Sequence, residues 1–95
     1  MDEVIINNRR VKLENGQIYS YYIIGGSSKV CKWYPLKGTM NKGNPCATIN
    51  GKRYSYRRIV FKIFNPEWSI ENSEMIKHYD KNILNNRIEN LYRVL

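Results

Sequence analysis

The chain has 95 residues, enough for one domain, and its 42% hydrophobic and 25% charged residues are typical of a globular protein rather than a disordered one. No apolar run approaches the roughly 18 residues of a membrane span, and the start of the chain lacks the basic and apolar segments of a signal peptide. We therefore expect a single domain over residues 1–95, with no membrane partner, that stays in the cytoplasm where it is made.

The formal net charge is +8, and the charges are unevenly placed along the chain. No acidic residue lies between Glu14 and Glu67. The basic residues of that interval are Lys29, Lys32, Lys37, Lys42, Lys52, Arg53, Arg57, Arg58 and Lys62. A field of one sign favours a polyanionic partner, whereas a surface that only serves solubility usually mixes both signs. The charge pattern therefore predicts a nucleic-acid partner over a membrane surface, since no segment sets a basic face opposite a broad apolar one.

The two cysteines, Cys31 and Cys46, are too few for a disulfide framework and lack the CxxC spacing of metal sites. With a single histidine in the chain they cannot complete a four-ligand zinc site. We expect two buried or half-buried thiols and no structural metal.

The first elements are predicted to be β-strands. Residues 1–8 are expected to form a frayed or edge segment. Residues 10–14 and 17–21 alternate polar and apolar side chains around Asn15 and Gly16, which is the strongest short hairpin signal because both turn residues accept a positive φ.

Two glycines, Gly25 and Gly26, mark a second break, between apolar-rich runs at 21–24 and 29–34. Residues 35–45 contain two prolines and two glycines, and we interpret them as a basic loop that exposes Lys37 and Lys42. Asn50 and Gly51 then predict a further hairpin. Residues 1–56 are therefore predicted to form a small, tyrosine-rich antiparallel sheet.

One short helix is predicted at residues 57–65. Ser55 is a candidate N-cap, the apolar residues suit packing on the sheet, and Asn65 followed by Pro66 ends the helix. The β-branched residues in this run are also compatible with a strand. We favour the helix because a strand reaching Pro66 would make the preceding hairpin overlong.

The last part of the chain, residues 66–95, is predicted to begin with an irregular connection in which Trp68 folds back on the core. Residues 75–79 and 90–95 are then expected to be two short strands joined by an asparagine-rich turn. The predicted fold class is α+β: a small antiparallel sheet, one short helix and a β-turn-β finger.

The finger carries the most specific motif of the chain. From His78 onward the sequence reads His-x-Asp-x-Asn-x-x-Asn-Asn-Arg-x-Glu-Asn-Leu, and His78 is the only histidine. This string resembles the core of the HNH (ββα-metal) nucleases, in particular the homing-type endonucleases of phages and mobile introns. Two earlier segments are similar to other parts of those proteins and occur in the same order. Residues 14–20 resemble a signature of the small β module that precedes many phage HNH domains, and residues 50–64 resemble the helix that follows it.

The resemblance implies a role for several residues. His78 would be the general base that deprotonates the attacking water, beside a Mg²⁺ or Mn²⁺ ion that neutralises charge on the scissile phosphate. Asn90 would tie the loop across and orient the histidine. The turn residues of the family are matched by Asp80, Asn82, Asn85 and Asn86.

Three departures from the family pattern argue against this chemistry. Lys77 stands at the position of a metal ligand, where an ammonium repels a dication. Arg57 replaces a histidine of the family's helix, and the sequence stops at Leu95, before the helix that carries the last ligand. We therefore expect no metal site and no cofactor. The alternative, in which carboxylates at other spacings rebuild a site, would draw on Glu74, Asp80 or Glu89. We also expect the finger to pack its uncovered face on the β module or on a partner.

Three functions follow as hypotheses. The leading one is a phage-type HNH-like protein that binds nucleic acid, DNA in particular, in the host cell and is catalytically degenerate. The first alternative is a metal-dependent nicking endonuclease that uses His78 and Asn90. The second is an inhibitor that binds a host or CRISPR-associated nuclease. The predicted nucleic-acid contacts are Lys37, Lys42, Lys52, Arg53, Arg57, Arg58, Lys62 and Arg87.

The aromatic residues of the β module have two interpretations. Some of them are candidates for a platform on which bases stack, and the alternative is that they form core contacts and cross-strand pairs. The residues concerned are Tyr19, Tyr21, Tyr22, Trp33, Tyr34, Tyr54 and Tyr56.

Overall fold

The computed structural model describes residues 3–24, 30–36 and 38–94 and confirms the α+β class. The first sheet contains four antiparallel strands in chain order: β1 (Glu3–Ile6), β2 (Arg9–Glu14), β3 (Gln17–Ile24) and β4 (Val30–Pro35). The edge position of β1 was predicted. The predicted break at Gly25 and Gly26 lies outside the described residues.

The second sheet contains β5 (Thr39–Asn41), β6 (Asn44–Ile49) and β7 (Lys52–Ser55). The strands of residues 1–56 therefore form two sheets rather than the single sheet expected. The reason is that β5 pairs locally with β6 and not with β4. Leu36, after β4, is buried, and its N–H donates to the carbonyl of Ile18 at 2.8 Å, so it is the last residue held to the first sheet before β5.

The residues at the hairpin turns explain why some hairpins could be predicted from the sequence and one could not. At Asn15 and Gly16 the φ angles are 51° and 78°, and at Asn50 and Gly51 they are 51° and 86°, as expected for Asn-Gly turns. The prediction of a loop over 35–45 is wrong, because Lys42 and Gly43 form the same kind of turn with φ of 53° and 82°. A lysine at positive φ is uncommon, so this hairpin gave no signal in the sequence.

The helix α1 (Tyr56–Phe64) follows β7 directly and confirms the helical interpretation of this segment. Ile59, Val60 and Ile63 are buried on one face, the i, i+1, i+4 spacing of an amphipathic helix. Ser55 precedes the helix, but its side chain makes no capping hydrogen bond. With nine residues, α1 is far shorter than a membrane-crossing helix, and nothing in the described part of the chain offers a helix that could span a bilayer.

The third sheet is the predicted finger, with β8 (Met75–His78) and β9 (Leu91–Val94) paired antiparallel and a 3-10 turn (Ile88–Asn90) before β9. Its inward side chains Ile76 and Leu91 are buried in the same core cluster as α1. The finger thus packs on the rest of the domain, which is one of the two arrangements expected, the other being packing on a partner.

All three sheets contribute to one hydrophobic core around α1. The first sheet supplies Val4, Ile6, Val11 and Ile18; the second supplies Ala47, Ile49 and Tyr54; the connection after the helix supplies Trp68 and Ile70. The predicted return of Trp68 to the core is confirmed, since only 6% of its surface is exposed.

Arg58 holds the irregular connection between α1 and β8. Its guanidinium donates to the carbonyls of Ile70 at 2.7 Å, Asn72 at 2.7 Å and Glu74 at 2.5 Å. It also lies 4.9 Å from the centre of the Trp68 ring. Burial lowers the pKa of Arg58 from its ordinary value, so the three carbonyls replace the water that the cation gives up on folding.

Replacing Arg58 by alanine is expected to lower the free energy of unfolding by roughly 2–4 kcal/mol, because three carbonyls lose a charge-assisted partner. Urea unfolding followed by circular dichroism measures this change. Arg58→Lys should recover only part of the loss, since an ammonium cannot serve the three carbonyls in a planar fork. Arg53→Ala, on an exposed strand position, is the control and should stay within about 0.5 kcal/mol. Equal effects of Arg58→Ala and Arg53→Ala would contradict this role.

Candidate nucleic-acid interface

The finger places His78 at the end of β8, directly opposite Leu91 at the start of β9. The chain leaves the ladder at the next residue, where the N–H of Tyr79 donates to the carbonyl of Asn90 at 2.8 Å. The two predicted strands are therefore present with ends shifted by one residue. The histidine of the motif sits on the first strand of a β-turn-β unit, as expected.

The turn is held by the carboxylate of Asp80. One oxygen, Oδ1, accepts from the backbone N–H of Asn82 at 2.8 Å and from the side chain of Asn90 at 2.8 Å. The other, Oδ2, accepts from the side chain of Asn85 at 3.0 Å. These bonds, that of Asn85 first, hold the pKa of Asp80 below its usual range. Both oxygens are thus committed inside the finger.

Asn90 ties the two ends of the turn together, as the resemblance predicted. Its Oδ1 accepts from the backbone N–H of Asp80 at 3.1 Å, and its Nδ2 also donates to the carbonyl of Asn85 at 2.9 Å. The histidine is held by a different asparagine: His78 Nε2 lies 2.7 Å from Oδ1 of Asn86, whose Nδ2 donates to the carbonyl of Ile83. Because the amide oxygen of Asn86 accepts this bond, Nε2–H of His78 is the donor.

His78 closes a narrow cleft between the finger and the second sheet, and only 7% of its surface is exposed. The cleft is lined by Asn44, Pro45, Ser55, Arg57, His78, Ile83 and Asn86. None of these residues is a carboxylate, and Arg57 places a cation in the same lining. Ser55 contributes a buried Oγ with no hydrogen-bond partner among the described residues.

These residues do not fit a divalent metal ion. Lys77 precedes His78 on β8, so its side chain points to the opposite face, where it is exposed. Both carboxylate oxygens of Asp80 accept hydrogen bonds within the turn. Glu74 accepts from Trp68 and Asn72 at 3.0 Å each, and Glu89 lies 3.5 Å from Arg87. In the described ranges no group of three or more histidine, cysteine, aspartate or glutamate side chains is gathered in one place.

The outer face of the second sheet, which we call the acid-free face, adjoins this cleft. Strand register places Thr48 beside Arg53 and Cys46 beside Ser55 on this face, opposite the buried Ala47, Ile49 and Tyr54. Thr39, Asn41 and Asn44 continue it onto β5 and the start of β6. It carries hydroxyls, amides and a guanidinium but no carboxylate.

Cys46 is buried with its Sγ 3.3 Å from the carbonyl of Asn44, as expected for a structural thiol. The Cys31 side chain lies outside what the structure describes.

The predicted basic contacts fall into two groups. Three are engaged within the protein: Lys52 with Glu71, Arg58 with three carbonyls, and Lys62 with the carbonyls of Pro66 and Trp68. Lys42, Arg53 and Arg57 have no acidic partner among the described residues. Arg87 is paired with Glu89 on an open surface, with 80% of its side chain exposed. Lys37 lies outside the described residues.

The aromatic residues of the β module also divide. Tyr54 and Tyr56 are structural: the Tyr54 hydroxyl donates to Glu71 at 2.7 Å, the Tyr56 hydroxyl donates to the carbonyl of Leu36 at 3.1 Å, and burial raises the pKa of Tyr54 to about 12. Two other pairs lie on opposite faces of β3 and β4, Tyr21 with Trp33 and Tyr22 with Tyr34.

Sequence reasoning missed the cations that lie over these rings. Arg9 is 4.1 Å from the Tyr22 ring centre, Arg10 is 4.5 Å from that of Tyr21, and Lys12 is 4.6 Å from that of Trp33. The alternation of β2 contained a signal, since Arg9 and Arg10 are neighbours and must point to opposite faces of the sheet.

The low pKa of Asp80 predicts a pH-dependent finger. A carboxylate whose folded-state pKa lies below its unfolded value of about 3.9 contributes stability above that pH, and the contribution is lost as the pH falls through the folded pKa. Asp80→Asn should lower the urea midpoint at neutral pH, and the difference from wild type should shrink below about pH 4. Hydrogen exchange of the Asn82 amide, the donor to Asp80, localises the effect. A pH-independent difference would contradict the role of the charge.

The chain matches no protein-family model, and it has no match among curated proteins or solved structures. The nuclease relationship therefore remains a prediction that depends on residues 76–91 and the two shorter segments.

Proposed function

We propose that the protein binds nucleic acid, DNA in particular, through the acid-free face and the adjoining edge of the His78 cleft. The observation that carries this proposal is the placement of Arg53 and Arg57. Arg53 lies on the outer face of the second sheet beside Thr48, Arg57 lies at the start of α1 in the lining of the His78 cleft, and neither has a carboxylate partner in the described part of the chain. An arginine without an acidic neighbour is available for a phosphate.

The neighbouring side chains suit a sugar–phosphate backbone. Hydroxyls and amides on the acid-free face, such as Thr48 and Asn41, donate to phosphate oxygens and fix the register of a bound strand. In this proposal two further cations contact phosphates: Lys42 at the β5–β6 turn, and Arg87, which follows Asn86 of the cleft lining along the finger. The weak, exposed pair of Arg87 with Glu89 costs little to exchange for a phosphate contact.

In this proposal the finger is a binding and positioning element. His78 is buried in a narrow cleft and held by Asn86, and both oxygens of Asp80 accept hydrogen bonds from within the finger. Both features support binding without a metal-assisted step. The imidazole then shapes the edge of the interface next to Arg57.

Binding to a short DNA duplex is expected to weaken steeply with salt. If Lys42, Arg53, Arg57 and Arg87 each reach one phosphate, the logarithm of the association constant should fall against the logarithm of salt concentration with a slope near about −3.6. Fluorescence anisotropy over a salt series measures this slope. The double substitution Arg53→Gln with Arg57→Gln should bring it to about −1.8.

Lys52→Gln is the matched control for that experiment, because Lys52 neighbours Arg53 on β7 but points to the opposite face and is paired with Glu71. It should leave the slope unchanged. Two results would argue against binding through the acid-free face: a duplex affinity that does not change with salt concentration, or a slope that changes equally in the control and the double variant.

Cleavage is expected to be absent. Supercoiled plasmid incubated with Mg²⁺ or Mn²⁺ and the wild-type protein should be nicked no faster than with His78→Ala, because the side chains around His78 do not fit a dication. Agarose gel electrophoresis of the nicked and supercoiled forms gives the rate. Metal-dependent nicking that disappears in His78→Ala would establish the endonuclease alternative instead.

A further inference from the structure

The first sheet carries aromatic pairs on both faces of β3 and β4, and the two faces differ in charge. On the outer face, the cations over Tyr21 and Trp33 are neutralised: Arg10 lies 2.6 Å from Glu3, and Lys12 lies 3.1 Å from Glu14. On that face each of these two cations therefore contacts both an aromatic ring and a carboxylate.

The inner face beyond the core, which we call the Tyr22–Tyr34 face, contains Arg9, Ser20, Tyr22, Lys32 and Tyr34. Register places Ser20 beside Tyr34 and Tyr22 beside Lys32. The two tyrosine rings meet edge to face with centres 5.7 Å apart. Arg9 and Lys32 each lie over one of these rings, and neither has a carboxylate partner among the described residues.

The guanidinium of Arg9 covers the Tyr22 ring but is held only by weak hydrogen bonds. Its two side-chain hydrogen bonds, to the carbonyl of Tyr21 and to the amide of Asn50, are 3.5 and 3.4 Å long, at the weak limit for such bonds. Its Nε is buried without a partner. Moving the guanidinium onto an anion would therefore sacrifice little, would satisfy Nε, and would uncover the face of the Tyr22 ring.

The same region holds a second unpaired polar group. Ser20 is only 1% exposed, and its Oγ has no hydrogen-bond partner within the described part of the chain. Buried polar atoms without partners are rare in folded proteins, and here two occur on the same face, next to the tyrosine pair. The face thus combines aromatic rings with cations and has no carboxylate among the described residues.

We infer that the Tyr22–Tyr34 face binds unpaired nucleotides of single-stranded nucleic acid, with bases stacked on the tyrosines and the neighbouring phosphates held by Arg9 and Lys32. The inference deepens the proposed function, since it assumes that the ligand is nucleic acid and adds the form that this second surface recognises. A flat base offers the π-face that the rings can meet, and its phosphate supplies the acceptors that the cations lack. In a duplex both faces of a base are covered by its neighbours, so this surface selects unpaired strands.

The test compares a short fluorescein-labelled oligo-dT with an abasic strand of the same length and charge, by anisotropy at fixed salt. Wild type should bind oligo-dT about tenfold more tightly than the abasic strand, the order expected from one base–aromatic stack. Tyr34→Leu should remove that preference, and Tyr34→Phe should keep it because the ring is retained.

Trp33→Leu is the matched control. Trp33 precedes Tyr34 on β4, points to the opposite face and has an equivalent edge-to-face partner 5.0 Å away. It should leave the oligo-dT preference within twofold of wild type. Because both variants remove one ring from the same hairpin, unfolding of the hairpin would affect them alike, and thermal melting identifies that case.

The outcomes separate this inference from the proposed function. Equal affinity of wild type for oligo-dT and the abasic strand, or equal losses in Trp33→Leu and Tyr34→Leu, would overturn the stacking site. In that case the duplex salt slope of Arg53→Gln with Arg57→Gln still tests the acid-free face independently. If that slope matches wild type while Tyr34→Leu abolishes the oligo-dT preference, the proposed function falls and the stacking site stands.

Discussion

Burial of one face of α1 is the constraint on which the other elements depend. The sheets have four, three and two strands, and each needs another element to cover its apolar face, while a two-stranded ribbon is at best marginal in water. Ile59, which is fully buried, and its neighbours Val60 and Ile63 give all three sheets a common surface. The relative placement of the sheets is therefore set by nine residues of helix.

This arrangement gives two consecutive arginines opposite uses. Arg57 and Arg58 occupy the first turn of α1, about 100° apart around the helix axis. Arg58 turns toward the connection after the helix and holds it through three carbonyls, whereas Arg57 turns to the cleft with His78 and Ser55. No acidic residue stands in this turn to complement the helix dipole. The start of α1 is thus electropositive beyond its formal charges, which favours an anion beside Arg57.

The elements that local chemistry determines could be predicted from the sequence. Asn15 and Asn50 precede glycines and mark two hairpins, and Pro66 lies two residues after Phe64, the last residue of the helix. The turn at Lys42 could not be predicted, since lysine has no side-chain interaction that favours a positive φ. The separation into two sheets depends on whether β5 pairs with β6 or β4, which is a long-range choice that local patterns do not encode.

The candidate interface could be predicted only in part, and for the same reason. The residues of the finger, and Lys77 rather than a metal ligand just before His78, follow from the motif. That Asn86 rather than Asn90 holds the imidazole depends on how the turn folds back. The separate roles of Lys52 and Arg53 follow from strand alternation, but only once it is known which face of β7 meets the core, and the burial of Tyr54 decides that.

Strand alternation also converts a charge bias along the sequence into a charge bias in space. Glu3 in β1 and Glu14 in β2 point outward with Arg10 and Lys12 and neutralise them. Arg9 is the exception in β2, because the same alternation turns it to the inner face, where β3 and β4 supply rings and no acid. The chain from β3 to α1 carries no carboxylate at all, so both the Tyr22–Tyr34 face and the acid-free face keep their cations unpaired. Two separate surfaces with the same deficit of acceptors thus arise from one uninterrupted acid-free stretch, and a polyanion long enough to reach both would satisfy them together.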